Sequence, residues 1–275
     1  MMIIKSQKGA TLIVVLVILV LITILGSYAM KQGLVNLKIA TNSQIQKLLM
    51  QSSDVALNHL EKDFALKESA NIAGTPVGQV ILPGNEGLEL QFCFKPSEIK
   101  ADDSLTENIF FNLGQFRIIK RSSINSNSGV KLESGDFTKG VCDPTTMFAI
   151  GRKAVVTQVA LSNPNDPAVE LEKYELTTLN TDLKQADSDT KRVRVIVTSL
   201  SPAMASGVSS SKIYDCLKDH VMDDTSLQNQ LDKVNLPNRI AVKTVAQCLN
   251  ELGVPTNTQV SEYVLRLEEN KELLP

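Results

Sequence analysis

The sequence has little of what enzymes and nucleic-acid-binding proteins depend on. Its 275 residues include two histidines, His59 and His220, and no tryptophan, and aromatic residues make up only 4% of the chain. It contains no G-x-S-x-G, no H-E-x-x-H and no phosphate-binding glycine loop. The formal net charge is −2, so the chain has no excess of basic residues for binding nucleic acid. We therefore expect no catalytic residues, no cofactor and no nucleic-acid partner.

Metal-binding patterns are equally scarce. The four cysteines include no close pair with zinc-site spacing, and both histidines are interpreted as surface residues. Asp182, Asp187 and Asp189 form an acidic cluster, but without the twelve-residue ligand spacing of a calcium loop. We interpret residues 182–191 as a charged, solvated loop and predict no metal site.

Charge is absent from the stretch Ala10–Met30, which is 21 residues long. A helix of that length spans about 30 Å, the thickness of the hydrocarbon core of a bilayer. Lys5 and Lys8 precede the stretch and favour a cytoplasmic N-terminus, with the rest of the chain on the other side of the membrane. A secretory signal peptide is the alternative, but its apolar run is usually shorter. We predict a single transmembrane segment.

Proline is absent before Pro76, so the helix can continue beyond the membrane. Over residues 31–70 apolar side chains recur every three or four positions, which is typical of an amphipathic helix. The positions that carry this pattern are Leu34, Leu37, Ile45, Leu48, Val55 and Phe64. The sequence therefore predicts one long helix whose outer half is amphipathic.

From residue 71 to residue 200 the pattern changes to short strands separated by turn residues. Strands are predicted at residues 79–82, 88–94, 116–119, 146–150, 154–161, 169–176 and 192–198. Several strands joined by turns indicate an antiparallel sheet. We predict an α+β fold in which one face of this sheet packs on the outer half of the long helix.

The C-terminal part looks different again. Residues 201–211 are rich in serine and are interpreted as a linker. Residues 212–275 are predicted to form a small helical appendage, with Ser211 as a cap of its first helix. Thr256 and Gln259 resemble a capping box that opens a last helix through Leu267.

Four cysteines lie beyond the membrane segment: Cys93, Cys142, Cys216 and Cys248. An even number in an oxidising compartment predicts two disulfides, whereas four free thiols would require a reducing one. Three pairings are possible. We favour Cys93–Cys142 and Cys216–Cys248, because each pair then falls inside one predicted domain.

The start of the chain resembles a type IV prepilin, in which a short basic leader ending in glycine precedes a long apolar helix. The resemblance lies in Lys8-Gly9 and in Ala10–Val14. It implies that residues 1–9 are a leader, that a prepilin peptidase cuts between Gly9 and Ala10, and that Ala10 is then N-methylated. Most pilins carry glutamate where this chain has Val14. That substitution, together with the continuation Lys38–Asp54, is similar to the PilX-type minor pilins.

The presence of valine instead of glutamate at position 14 can be explained physically. A carboxylate inside the bilayer costs about 2.5–3.5 kcal/mol and persists only with a partner. In pilins that partner is thought to be the N-terminal amine of the neighbouring subunit already in the filament. A subunit that enters first has no such neighbour, so Val14 suits a subunit at the filament tip or one that starts assembly. The alternative is that Val14 is simply another lipid-facing residue.

The resemblance implies a pilin-like fold and a structural function as a minor pilin that helps to prime assembly or sits in the tip complex. Its partners would be the prepilin peptidase, other minor pilins, the major pilin and the inner membrane. It would first span the bacterial inner membrane once, with a cytoplasmic N-terminus and a periplasmic C-terminal domain, and its final location would be the pilus. The surface or host ligand of such a tip is left open. Two alternatives remain: a K-type pseudopilin of type II secretion, and a single-pass membrane protein with a periplasmic sensing domain.

Overall fold

A computed structural model describes residues 10–65, 75–82, 84–85, 87–96, 115–121, 130–149, 154–164, 189–205, 207–223 and 243–267. The predicted leader, the predicted strand at residues 169–176, and Asp182 and Asp187 lie outside these residues. The chain divides into two compact units, Met1–Lys47 and Leu48–Pro275.

Helix α1 runs without interruption over Ala10–Ala65. Its 56 residues include no proline and only two glycines, Gly26 and Gly33, which explains why one helix can be this long. Inside Leu12–Lys62 an apolar window with a mean hydropathy of 2.9 is long enough to cross a membrane. The predicted membrane segment and the predicted amphipathic segment therefore belong to a single helix.

The second unit contains a six-stranded antiparallel sheet, counted over the described residues, in the order β3-β2-β1-β4-β5-β6. Its strands are β1 (Leu88–Cys93), β2 (Phe116–Arg121), β3 (Val130–Gly135), β4 (Val156–Ser162), β5 (Asp189–Leu200) and β6 (Thr256–Leu267). The predicted strands at residues 88–94, 116–119, 154–161 and 192–198 correspond to β1, β2, β4 and β5. The α+β, pilin-like arrangement of a long helix followed by an antiparallel sheet is confirmed.

One face of the sheet packs against the outer part of α1 and against the short helix α2 (Pro76–Ile81). Leu49, Ala56 and Leu60 of α1 are fully buried, and Ala56 and Leu60 belong to the apolar core on this face. Strands β1, β2, β4 and β5 contribute residues from one face of the pleat: Leu90, Phe92, Ile118, Val159, Leu161, Val193, Val195 and Val197.

The opposite face is also covered, by helices α3 (Ser210–Asp219) and α4 (Val245–Glu251). Ile213 and Leu217 of α3 and Leu249 of α4 form a second core with alternate residues of β4 and β5. The C-terminal helices therefore form a layer on the sheet. The central strands β1, β4 and β5 are buried on both faces, whereas the alternation in β1 predicts a half-buried strand.

Two disulfides hold this side of the sheet together. Cys93–Cys142 joins the end of β1 to the segment after β3, and Cys216–Cys248 joins α3 to α4. These are the two pairings favoured from the sequence. No free cysteine remains.

Several local predictions are wrong. Thr256–Leu267 is strand β6 and not a helix, because it pairs with β5 along all twelve residues. The capping box in this region belongs instead to Thr244 and Gln247, at the start of α4. Helix α3 begins after Ser209 and not at the predicted cap Ser211.

Three other segments also differ from the sequence-based prediction. The predicted strand at residues 79–82 is mostly helix α2, whose N-cap Thr75 accepts the Gly78 N–H at 3.1 Å and whose first residue is Pro76. Residues 146–149 form no strand. Asp143 holds a turn there by accepting hydrogen bonds from Thr145. Asp189 starts strand β5 and so is not part of a loop.

Candidate functional site

Of the residues singled out for processing, only Ala10 belongs to the described part of the chain. Lys5, Lys8 and Gly9 are outside the described residues, and Ala10 is the first helical residue. Val14 is 56% exposed within the chain, like the apolar side chains around it. Gly26 and Gly33 have no atom within 4 Å of where a Cβ would stand. The segment Leu12–Met30 therefore exposes a nearly continuous apolar surface that needs lipid or other helices around it.

Helix α1 joins the sheet through a chain of buried hydroxyl groups as well as through apolar packing. Ser53 Oγ donates to Ser199 Oγ at 2.8 Å, and Ser199 Oγ lies 2.9 Å from Thr157 Oγ1. Ser52 Oγ lies 2.8 Å from the same threonine oxygen. Because the four hydroxyls satisfy one another only in this alignment, they specify how far along α1 the sheet sits.

A row of polar side chains crosses the other face of the sheet. Glu89, Ser162, Arg194 and Glu262 are direct neighbours in register on β1, β4, β5 and β6. We call these four residues the polar row. Arg194 is 5% exposed and its guanidinium is 2.5 Å from Glu262 Oε1.

The segment after α3, residues 221–223, lies over the polar row. The Glu89 carboxylate accepts hydrogen bonds from the Met222 N–H at 2.9 Å and from the Asp223 N–H at 3.2 Å. Ser162 Oγ donates to Asp223 Oδ2 at 2.7 Å, and Arg194 Nη1 donates to Asp223 Oδ1 at 3.2 Å. Side chains of three strands, β1, β4 and β5, therefore hydrogen-bond to this segment.

A buried arginine lies beside the polar row. Arg117 is 0% exposed and donates to the Gln91 side-chain oxygen and to the carbonyls of Phe137 and Leu217. Gln91 Nε2 in turn donates to Glu89 Oε1. The amide of Gln91 thus connects the buried cation to the buried carboxylate.

Burial shifts the pKa of both charged groups. Loss of hydration raises the pKa of Glu89 to about 7, although hydrogen bonds from Gln91 and Met222 oppose this shift. Burial lowers the pKa of Arg117 to about 10, and the nearby Glu89 charge opposes that shift. The polar groups of Glu89, Gln91 and Arg117 are hydrogen-bonded to one another and to backbone atoms.

Within the described ranges, the histidines and acidic residues do not assemble into a metal site. His59 is partly buried beside Phe94, with ring centroids 5.7 Å apart, and burial lowers the pKa of the partly buried His220. Their interpretation as surface residues is therefore only partly right. Among the described residues no group of three histidine, cysteine, aspartate or glutamate side chains could hold a metal ion.

Comparison with known families gives one result, and it concerns α1. Residues 8–58 match the PilX N-terminal family model. This match confirms the resemblance to PilX-type pilins over the N-terminal part of the chain. It covers the predicted cleavage position between Gly9 and Ala10, the apolar segment and the start of the helix segment that packs on the sheet. No curated protein matches the chain. No solved structure matches it either.

The PilX N-terminal match ends at residue 58, so it does not extend to the sheet and the helices that cover it, which we call the head. The polar row and the buried Arg117 were not found from the sequence. The only signal was the run Leu88–Cys93, where polar and apolar residues alternate. That alternation was interpreted as one solvated face, whereas Glu89 and Gln91 are 3% and 0% exposed.

Proposed function

We propose that the chain is a minor pilin of a type IV pilus, which helps to prime assembly or sits in the tip complex. The observation that carries this proposal is the PilX N-terminal match over residues 8–58 on one continuous helix, Ala10–Ala65. The first part of that helix exposes apolar side chains, and the last part is buried under a sheet. Such a chain acts by packing and not by catalysis.

Maturation would follow the pilin route. The leader, residues 1–9, would remain in the cytoplasm with Lys5 and Lys8, and a prepilin peptidase would cut between Gly9 and Ala10. Ala10 would then be the N-methylated first residue. Glycine before the scissile bond suits this role, because it lacks a side chain that would block close approach to the backbone.

Val14 supports a position at the tip or at the start of the filament. A pilin with glutamate at this position requires the amine of a neighbour to neutralise a carboxylate in the membrane. Val14 has no charge to neutralise, so this subunit needs no earlier neighbour in order to leave the bilayer. The partners would then be other minor pilins at its side and the major pilin below.

A K-type pseudopilin of a type II secretion machine is the second candidate, because those proteins share the missing glutamate. The two can be separated by deletion of the gene. For a pilus subunit we expect fewer surface filaments and the protein in the sheared-pilus fraction. Normal piliation together with loss of protein secretion would instead favour the pseudopilin. If neither piliation nor secretion changed, both would be wrong.

A further inference from the structure

All four cysteines contribute to one apolar core, the one between the sheet and helices α3 and α4. Cys142 and Cys216 are 0% and 3% exposed, and Cys93 and Cys248 pack against this core from partly buried positions. A thiolate attacks whichever accessible disulfide sulfur it meets. A chain that began to form this core while fully reduced would therefore bring four thiols together, and pairs other than the native ones could form.

The native disulfides join cysteines that are consecutive in the chain. Cys93–Cys142 and Cys216–Cys248 span 49 and 32 positions. The other two ways of pairing the same four cysteines would close loops of about 75–155 residues. Because the entropic cost of closing a loop of n residues grows as about 1.5 RT ln n, the native set is favoured about twentyfold over either alternative in an unfolded chain.

The spacing of the cysteines also separates the two pairs in time. A chain anchored by α1 with its N-terminus in the cytoplasm crosses the membrane in chain order, so Cys93 and Cys142 arrive before the other two. About 74 further residues then precede Cys216, which takes about 4–15 s at a synthesis rate of about 5–20 residues per second. Disulfide formation takes seconds with an efficient oxidant, so the first pair has time to close alone.

The first disulfide lies against strand β4, which follows it in the sequence. The Cys142 sulfur is 3.2 Å from the Thr157 carbonyl oxygen of β4, and the Gln158 side-chain oxygen accepts the Cys142 N–H at 3.2 Å. An oxidant must reach a cysteine sulfur in order to exchange with it. The burial of Cys142 by β4 therefore favours oxidation of this pair while the sheet is still incomplete.

We propose that the disulfides close in chain order, Cys93–Cys142 before Cys216–Cys248, by exchange with a protein disulfide oxidant and without an isomerase; this rests on the proposed function, which places the head in an oxidising compartment. In each exchange one cysteine thiolate attacks the disulfide of the oxidant and forms a mixed disulfide, which the second cysteine thiolate then attacks. Two electrons and two protons pass from the cysteine pair to the oxidant, which leaves as a dithiol. Oxidation is thus the step that supplies a stable head before filament assembly.

Timed trapping in cells tests the order of closure. The full chain is labelled in a short pulse, free thiols are alkylated at successive times after an acid quench, and non-reducing mass mapping identifies the pairs. We expect the first oxidised species to contain Cys93–Cys142, with Cys216 and Cys248 alkylated. A first species that contains only Cys216–Cys248 would overturn the proposal. A wild-type chain that acquires non-native pairs when the disulfide isomerase gene is deleted would also overturn it.

A single cysteine change gives a sharper contrast in the isomerase-deleted strain. Cys142→Ser leaves Cys93 unpaired when Cys216 arrives, so we expect a Cys93–Cys216 disulfide to form. Cys93→Ser/Cys142→Ser is the matched control, and Cys216 and Cys248 should pair in it as in the wild type. Pairing is mapped on denatured peptides, so neither result depends on whether a variant folds. Absence of Cys93–Cys216 from the single variant would contradict closure in chain order.

Oxidation of the purified chain separates this proposal from the proposed function. The reduced full chain is equilibrated in concentrated urea with a glutathione redox buffer, where the location of the protein in the cell plays no part. Among species with two disulfides we expect the native set to exceed either alternative by about twentyfold, and comparable amounts of the three sets would overturn the proposal. A chain that keeps all four thiols reduced in cells would contradict both the proposed function and this proposal, whereas non-native pairs in an oxidised chain contradict this proposal alone.

Discussion

Ser53 of α1 donates a hydrogen bond to Ser199 of β5 over 2.8 Å, and both side chains are fully buried although 146 positions separate them. Apolar packing alone tolerates some sliding of a helix along a sheet, whereas a buried hydroxyl needs one particular partner. The Ser53–Ser199 contact therefore fixes the position along the outer part of α1 at which the sheet packs.

This relationship gives the first prediction. Ser53→Ala removes the hydroxyl that donates to Ser199 Oγ. We expect this loss to lower the free energy of unfolding by about 1–3 kcal/mol. The double variant Ser53→Ala/Ser199→Ala should cost less than the sum of the two single changes, because the partners are removed together. Chemical denaturation followed by circular dichroism measures this. Ser211→Ala on an exposed turn of α3 is the control, expected within about 0.5 kcal/mol of wild type.

The second prediction concerns the segment after β3. Gly140 has φ +78°, and a Cβ there would collide with the Gln91 carbonyl oxygen and stand 2.8 Å from the Arg117 nitrogen. Gly207 has a similar φ of +81°, but no atom lies within 4 Å of its Cβ position. Gly207→Ala therefore reports backbone strain alone, about 1 kcal/mol.

We expect Gly140→Ala to destabilise the head by clearly more, about 3 kcal/mol or above, since backbone must move on two strands. Thermal unfolding of the two variants side by side measures the difference. Equal losses would show that the segment does not pack closely on β1 and β2.

The third prediction concerns the helical layer. Cys216 and Cys248 close a loop of 32 residues, which in the chain-entropy model stabilises the fold by about 4 kcal/mol. The double variant Cys216→Ala/Cys248→Ala should lose about 2–4 kcal/mol of unfolding free energy, and its α3 and α4 amides should exchange faster. The ranking of hydrogen-exchange protection in the head should not change for β4 and β5, whose amides should stay as well protected relative to the other strands as they are in the wild type. Unchanged exchange in α3 would mean that apolar packing alone holds this layer.

The fourth prediction tests the role of Val14 in assembly. Val14→Glu restores the charge that most pilins carry, so we expect the subunit to require a neighbouring amine and to lose its ability to start filaments. Filament number in cells that express only this variant should fall severalfold. Val15→Glu places the same charge one residue away and serves as the position control. Identical filament numbers for wild type and Val14→Glu would contradict the initiation role.

Local signals in the sequence were sufficient to predict α1 and four of the strands. An uncharged run without proline leaves the chain no alternative to a long helix, and β5 carries the strongest alternation in the chain, around Arg192–Thr198. The cysteine pairs could also be assigned, because each pair was placed within one predicted domain.

Strand β6, the burial of Glu89 and the helical layer on the sheet could not be predicted, because they depend on contacts between distant parts of the chain. Strand β6 has apolar residues four apart at Val260 and Val264, which fits a helix equally well, and only its pairing with β5 decides the outcome. Likewise Glu89 is buried because α3 and the segment after it cover that face of β1, which no pattern within β1 can show. The second layer on the sheet was for this reason predicted as a separate appendage.

The central claim is that this chain is processed and assembled as a pilin, and N-terminal sequencing of the protein recovered from membranes and from sheared filaments tests it most directly. We expect a first residue of Ala10, carrying a methyl group, and a Gly9→Val variant that stays at precursor length. Wild-type protein that still begins with residues 1–9 in cells whose prepilin peptidase is active would contradict the claim.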